Sequence, residues 1–408
     1  MEEPMSAQRI AIVGALLLGL GLAACQPAPT ATPVEPGEVA PAETTEAEVP
    51  TECTFQVALM SPRTGDSAYW GLQTQYGATQ GLEEINAAGG ITEGPYAGCT
   101  YEIVGPFDDR GDPTEATNIA QQITTMDDVM AIIGPVNSSN MFAIMPIIDE
   151  AGIPMISGGA SNPDLTKQGW SYFFRAFMND GALARAAASF VHQQGYDRVV
   201  VAYSNSDYGR GIFENFQARG EELGMTILSA DAWTPGQDRE FTALVTKWQG
   251  LNPDAIFTAG EYTEAALITK QARLAGMEIP ILGQGMYSED FIQIAGPQGE
   301  GVLAFSLLDP FRQDALTTGF VQDFQARWGE AAAENAGFGY NAALVLNDAV
   351  SRMQGEGRDA LRQALAETRD LPVVSYSVTF DETGEMVVPD TVPIVTLHDG
   401  VWISYSGQ

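Results

Sequence analysis

The residues of this chain best placed for chemistry sit in short turns, each directly after a brief apolar run. After 129–133 comes Gly-Pro-Val-Asn-Ser138-Ser139-Asn140, which opens a helix. A hydroxyl and neighbouring amides at a helix N-terminus suit a carboxylate or other anion, and they equally suit plain capping. After 153–156 comes Ser157-Gly158-Gly159-Ala160-Ser161-Asn162. Its glycines let backbone approach a ligand and Ser161 adds a hydroxyl; a tight turn is the plainer reading. Tyr69 and Trp70 follow the first run and read either as a pocket wall or as core. Further on, Ser206-Asp207-Tyr208-Gly209, Gly260-Glu261-Tyr262 and Gly283-Gln284-Gly285 each follow a run. Asp207 reads as a helix cap. Glu261 is placed to face a cleft and pair with a ligand ammonium, or else it is one more solvated acid.

Other chemistries find little support. There is no Gly-x-Ser-x-Gly elbow and no His-Glu-x-x-His motif, which leaves a secreted hydrolase as the weakest reading. Only two histidines, His192 and His398, and three cysteines are present, so neither a His/Cys metal site nor any cofactor is expected. The chain has 19 Lys+Arg against 53 Asp+Glu, a formal charge of −34. Nucleic acid and anionic lipid headgroups need basic patches, and this sequence has none. Most of the acidity falls after residue 52, which reads as solubility or habitat chemistry rather than ligand selection.

Turns of this kind need a scaffold, and the pattern from residue 53 onward supplies one. Strands are expected at 55–60, 101–107, 129–133 and 153–156, alternating with helices at 69–88, 113–126 and 140–150. The rhythm breaks between 170 and 182, where 172–177 is extended and Asn179-Asp180-Gly181 turns the chain. It resumes with helices at 182–194, 209–223, 241–250 and 264–275 between strands at 198–203, 226–230, 255–258 and 279–283. Helices follow at 320–328, 338–353 and 361–367, and the tail is strand-like at 373–380 and 392–405. This alternation argues an α/β fold of two Rossmann-like lobes with parallel sheets. Residues 53–176 plus 305–370 are assigned to one lobe, and 177–304 plus 371–408 to the other. Hinge crossings are expected near 175–177 and 301–307. Ligands of open parallel sheets sit beyond the carboxyl ends of the strands, so a cleft between the lobes is the expected site.

Cys53 and Cys99 each precede a strand of the first lobe. If those strands are parallel neighbours, the thiols meet at one sheet edge, and a disulfide there would stabilise by roughly 4 kcal/mol in the chain-entropy model. Two free thiols are the alternative. The first 52 residues read as an address and a tether. An apolar run at 10–24 is short for a membrane span and fits a secretory signal peptide. Its end, Leu22-Ala23-Ala24-Cys25, resembles the lipobox of bacterial lipoproteins, in which the cysteine carries lipid. Residues 26–52 are rich in Pro, Thr, Ala and Glu and read as a disordered tether.

Several stretches together resemble the periplasmic amino-acid-binding proteins of the branched-chain (Leu/Ile/Val) type, the type I binding proteins of ABC importers. They are Tyr69-Trp70-Gly71, Gly77-Ala78, 85–91, Asp108-Asp109 with Asp112-Pro113, and Ile133-Gly134 through Ser138-Ser139. To these are added 149–154, Asp207-Tyr208-Gly209-Arg210-Gly211 and 271–276. The match runs from about residue 55 to about 400. The resemblance implies a monomeric receptor without catalysis, which closes on an amino acid, amide or aromatic acid and presents it to a membrane permease. It places the carboxylate grip on Ser138, with Ser139 beside it. It places backbone and hydroxyl contacts on Gly159, Ala160 and Ser161, the pocket aromatic on Trp70, and the closing tyrosine on Tyr208. Relatives of this type commonly carry an acid after the last strand of the second lobe, to bind the ammonium. This chain has Gln284-Gly285 there, so either Glu261 takes that role or the ligand is not a standard α-amino acid. A sensor using the same cleft to signal is the alternative function.

Overall fold

The computed structural model describes residues 53–387 and 392–405. The apolar run at 10–24, Cys25 and the tether lie outside them. Among the described residues no helix is long and apolar enough to cross a membrane.

The first lobe is a five-stranded parallel sheet. Its strands are β1 (Thr54–Ser61), β2 (Thr100–Asp108), β3 (Val129–Ile133), β4 (Met155–Ile156) and β5 (Phe173–Phe174), in the order β2-β1-β3-β4-β5. Burial on both faces explains why β1 and β3 are nearly continuous apolar runs. The period of two still sorts their side chains. Ala58, Met60 and Ile132 face α2 (Pro113–Thr124) and α3 (Ser138–Glu150). Val57, Leu59 and Ile133 face the opposite core. Thr54 is in register with Thr100, so the preceding cysteines lie side by side, and Cys53 and Cys99 form the expected disulfide.

The second lobe repeats the plan. α4 (Asp180–Gln193) leads into β6 (Arg198–Ser204), α5 (Asp207–Leu223), β7 (Thr226–Trp233), α6 (Thr242–Leu251), β8 (Ala255–Ala259), α7 (Tyr262–Leu274), β9 (Ile281–Gln284), α8 (Glu289–Ala295) and β10 (Leu303–Phe305). Along β6, Val199 and Val201 share a core with α4 and α5, while Val200 and Ala202 share one with α6 and α7. The chain then returns to the first lobe as α9 (Ala315–Trp328), α10 (Glu334–Arg352) and α11 (Arg358–Ala366). The rings of Tyr76 and Trp328 stack at 4.2 Å, and α10 lies directly on α1 (Ala68–Ala87). Glycine permits that approach. A Cβ on Gly77 would lie 1.8 Å from the Ala336 carbonyl oxygen, and one on Gly339 would lie 2.0 Å from that of Thr74.

The C-terminal stretch divides otherwise than the boundary at 371 expects. A small hairpin of β11 (Leu371–Pro372) and β12 (Ser377–Val378) packs on the first lobe. Val374 N donates to Asn341 Oδ1 at 2.8 Å, and the rings of Phe174 and Phe380 lie 5.3 Å apart. Only β13 (Ile394–His398) and β14 (Val401–Ser404) join the second sheet, as an antiparallel edge on β10. Among the described residues the lobes are connected at 175–179 and at 306–308.

Arg175 sits on the first connection and is fully buried. Its guanidinium meets the Glu385 carboxylate through two nitrogens, with Nε at 3.0 Å, and Nη1 donates to the Asn162 carbonyl at 2.7 Å. Removing one member of a buried pair strands the other charge. Glu385→Ala is therefore expected to lower unfolding free energy by about 3–5 kcal/mol in chemical denaturation. A loss of less than about 1 kcal/mol would show that water reaches Arg175.

Candidate functional site

The carboxyl ends of both sheets face each other, so the turns that follow the strands converge. Between them lies a small cavity of about 30 Å³ in this closed arrangement. Trp70, Ser138, Gly159, Ser161 and Tyr208, all singled out in the sequence, line it. The lobes are closed over it. The Trp70 ring stands edge-on to Tyr208 at 5.8 Å and to Tyr262 at 5.0 Å. Asp207 N donates to Ser139 Oγ at 3.3 Å, and Asn162 Nδ2 donates to the Asp207 carbonyl at 2.5 Å. Asp66 and Arg239 pair across the cleft at 3.1 Å.

Local structure decides between the plain and functional readings of several residues. The cap position of α3 is held by Asn137, whose side chain makes no capping bond and instead donates to Ser67 Oγ at 3.0 Å. Ser138 is the first helical residue, and its Oγ accepts from Asn162 N at 3.2 Å. No side chain therefore caps the N-terminus of α3, and the donors of its first turn are left for a ligand. Asp207 is not the cap of α5. Ser206 is, accepting from Gly209 N at 3.2 Å, because a hydroxyl one residue earlier reaches that amide.

The remaining candidates lie beside the cavity rather than in its wall. Ser139 and Glu261 line an adjoining recess with Asp66, Arg110 and Ser206, and Ser138 and Tyr208 border both spaces. Glu261 is buried, and Ser206 Oγ donates to its Oε1 at 3.1 Å. The Ala160 carbonyl accepts from Ser157 Oγ at 3.1 Å. Gln284 Nε2 donates to the Asp180 carboxylate. Residues without a prior signal complete the wall: Val136, Leu307, Glu334, Asn335 and Phe338. The last three ride on α10, which reaches the cavity only through its packing on α1.

A model of the periplasmic binding protein family matches residues 54–396. The chain belongs to that family. It is 29% identical over 341 residues to a Leu/Ile/Val-binding protein homolog of Brucella melitensis, covering 82% of this chain and 89% of the relative. It is 27% identical to the leucine-, isoleucine-, valine-, threonine- and alanine-binding protein of Pseudomonas aeruginosa, covering 82% and 87%. Among solved structures, a Streptococcus pneumoniae branched-chain amino acid transporter binding protein in complex with isoleucine superposes with a TM-score of 0.79. Its identity is 27%, with 86% of this chain and 99% of that one covered. A leucine-binding protein of Thermotoga maritima gives a TM-score of 0.78 at 29% identity, covering 86% and 97%.

Buried carboxylates shape the electrostatics of this binding protein's cleft. Asp180, the first residue of α4, accepts from Ser161 Oγ at 2.5 Å and from Gln284, so neutral donors of both lobes hold it. Burial pushes its carboxyl up to about 7. Burial also raises Glu261 and Glu334, and it raises Asp109 to about 7. Such groups hold a proton more tightly folded than unfolded. Between an unfolded carboxylate pKa of about 4 and these folded values, the native state binds more protons, so stability falls as pH rises through that window. The ligand-free thermal midpoint is expected to be lower near pH 8 than near pH 5.5, with Asp180→Asn flattening the difference. A midpoint that rises across this interval, or an unchanged slope in the variant, would contradict the assignment.

Proposed function

We propose that this protein is the exported, lipid-anchored receptor of an ABC importer, capturing an amino acid or a closely related compound in the cleft. The observation that carries this reading is the cavity at the carboxyl ends of both sheets. It joins an anion-receiving helix N-terminus at Ser138, hydroxyls of Ser161 and Tyr208, and an apolar wall of Trp70, Val136, Leu307 and Phe338. That combination suits a small molecule with one charged end and one apolar side chain. The named relatives bind leucine, isoleucine and valine, which have this form. The crossings at 175–179 and 306–308 allow the lobes to hinge, and closure gathers polar groups from both. The ending Leu22-Ala23-Ala24-Cys25 supports a lipidated Cys25 followed by a tether that lets the receptor reach a permease.

Titration calorimetry against the protein amino acids, their amides and benzoate, with small-angle scattering of the same samples, tests this. Expected are saturable binding of at least one branched-chain amino acid and a smaller radius of gyration with it bound. Absence of binding across the panel, with no compaction, would overturn the reading.

A further inference from the structure

The turn after β9 offers the cationic end of an amino acid no charged acceptor, because Gln284 and Gly285 are neutral. Glu334, however, lies in the cavity wall itself. It is the first residue of α10 and is 7% exposed. Its Oε2 accepts from Ser306 Oγ and from Leu307 N, each at 2.9 Å. Among the described residues Oε1 has no hydrogen-bond partner and no Lys or Arg pairs with the group. The Trp70 indole, whose Nε1 is buried and unpartnered, shares the cavity wall with it. Asp180 stands behind Ser161, and no Lys or Arg forms an ion pair with it either. Arg175, which acts on Asp180 from nearby, is already committed to Glu385.

A carboxylate taken out of water needs a cation or must give up its charge. The polypeptide supplies no cation to the cavity, so a ligand that brings one is selected. We propose that Glu334 receives the ligand's ammonium group, and that this carboxylate makes the receptor prefer ammonium-bearing ligands to simple carboxylic acids. The inference rests on the amino-acid reading given above. The ligand carboxylate then lies at the N-terminus of α3 by Ser138, and the side chain lies against Val136, Leu307 and Phe338. Glu261 is the competing acceptor. It lines the adjoining recess instead, and its Oε2 is buried without a partner. A purely structural role for Glu334, tying the 306–308 crossing to α10, would survive replacement by glutamine, since an amide oxygen accepts the same two bonds.

Calorimetry of wild type, Glu334→Gln and Glu261→Gln with L-leucine, 4-methylpentanoate (leucine without its amino group) and benzoate separates these roles. Wild type is expected to favour L-leucine over 4-methylpentanoate by about tenfold or more, as a charge-assisted bond predicts. Glu334→Gln should lose about tenfold or more for L-leucine and nothing for 4-methylpentanoate, while Glu261→Gln shifts L-leucine by less than roughly threefold. Unchanged L-leucine affinity in Glu334→Gln, or the loss falling on Glu261→Gln, would overturn the assignment. Wild type that binds benzoate or 4-methylpentanoate as well as L-leucine would overturn it too, leaving the receptor reading intact. Binding of none of the three would overturn both. Should Glu334→Gln fail to fold, the wild-type ratio and the Glu261→Gln result still decide.

Discussion

Two carboxylates held away from water, neither in an ion pair with a Lys or Arg among the described residues, constrain the cleft of this structure. An isolated buried charge costs on the order of several kcal/mol even after relaxation. Asp180 and Glu334 reduce that cost in the same way: each begins a helix, where the backbone dipole favours negative charge, and each accepts hydrogen bonds from neutral donors. Their positions couple this cost to the hinge. Asp180 follows the first crossing directly, and Glu334 grips the second through Ser306 and Leu307. Glu385 is paired with Arg175 on the first.

Rigid packing gives this arrangement its precision. Trp70 lies in the first turn of α1 and Glu334 begins α10, and the two helices approach so closely that a methyl group on Gly77 or Gly339 would overlap backbone. A site gains affinity when its groups are held in place before the ligand arrives. The aromatic wall and the carboxylate therefore move as one body, and the second lobe brings Tyr208 and the Gln284–Asp180 contact to it. Closure adds polar partners from the opposite lobe, which is how a hinge couples recognition to shape.

Much of this was legible in the sequence, for a local reason. Strand, turn and helix signals are short-range, and the topology of parallel sheets gathers the turns after the strands at one end. That is why Trp70, Ser138, Gly159, Ser161 and Tyr208 meet at one cavity although they span much of two lobes. What was not legible arrives by long-range packing. Glu334 lies ahead of the helix expected at 338–353, is one of 53 acids, and nothing near it in sequence signals that α10 docks on α1. Asp180 was visible only as part of the Asn179-Asp180-Gly181 turn that marks the first crossing. The hairpin at Leu371–Val378 alternates like the rest of the tail, and only its pairing with Asn341 and Phe174 assigns it to the first lobe.

A crystal structure of the protein grown with L-leucine would test the central claim most directly. The account predicts a closed cleft with the amino nitrogen within hydrogen-bond distance of Glu334 and the carboxylate at the N-terminus of α3. An amino nitrogen turned towards Glu261, or a ligand lying outside the cavity between Trp70 and Tyr208, would contradict it.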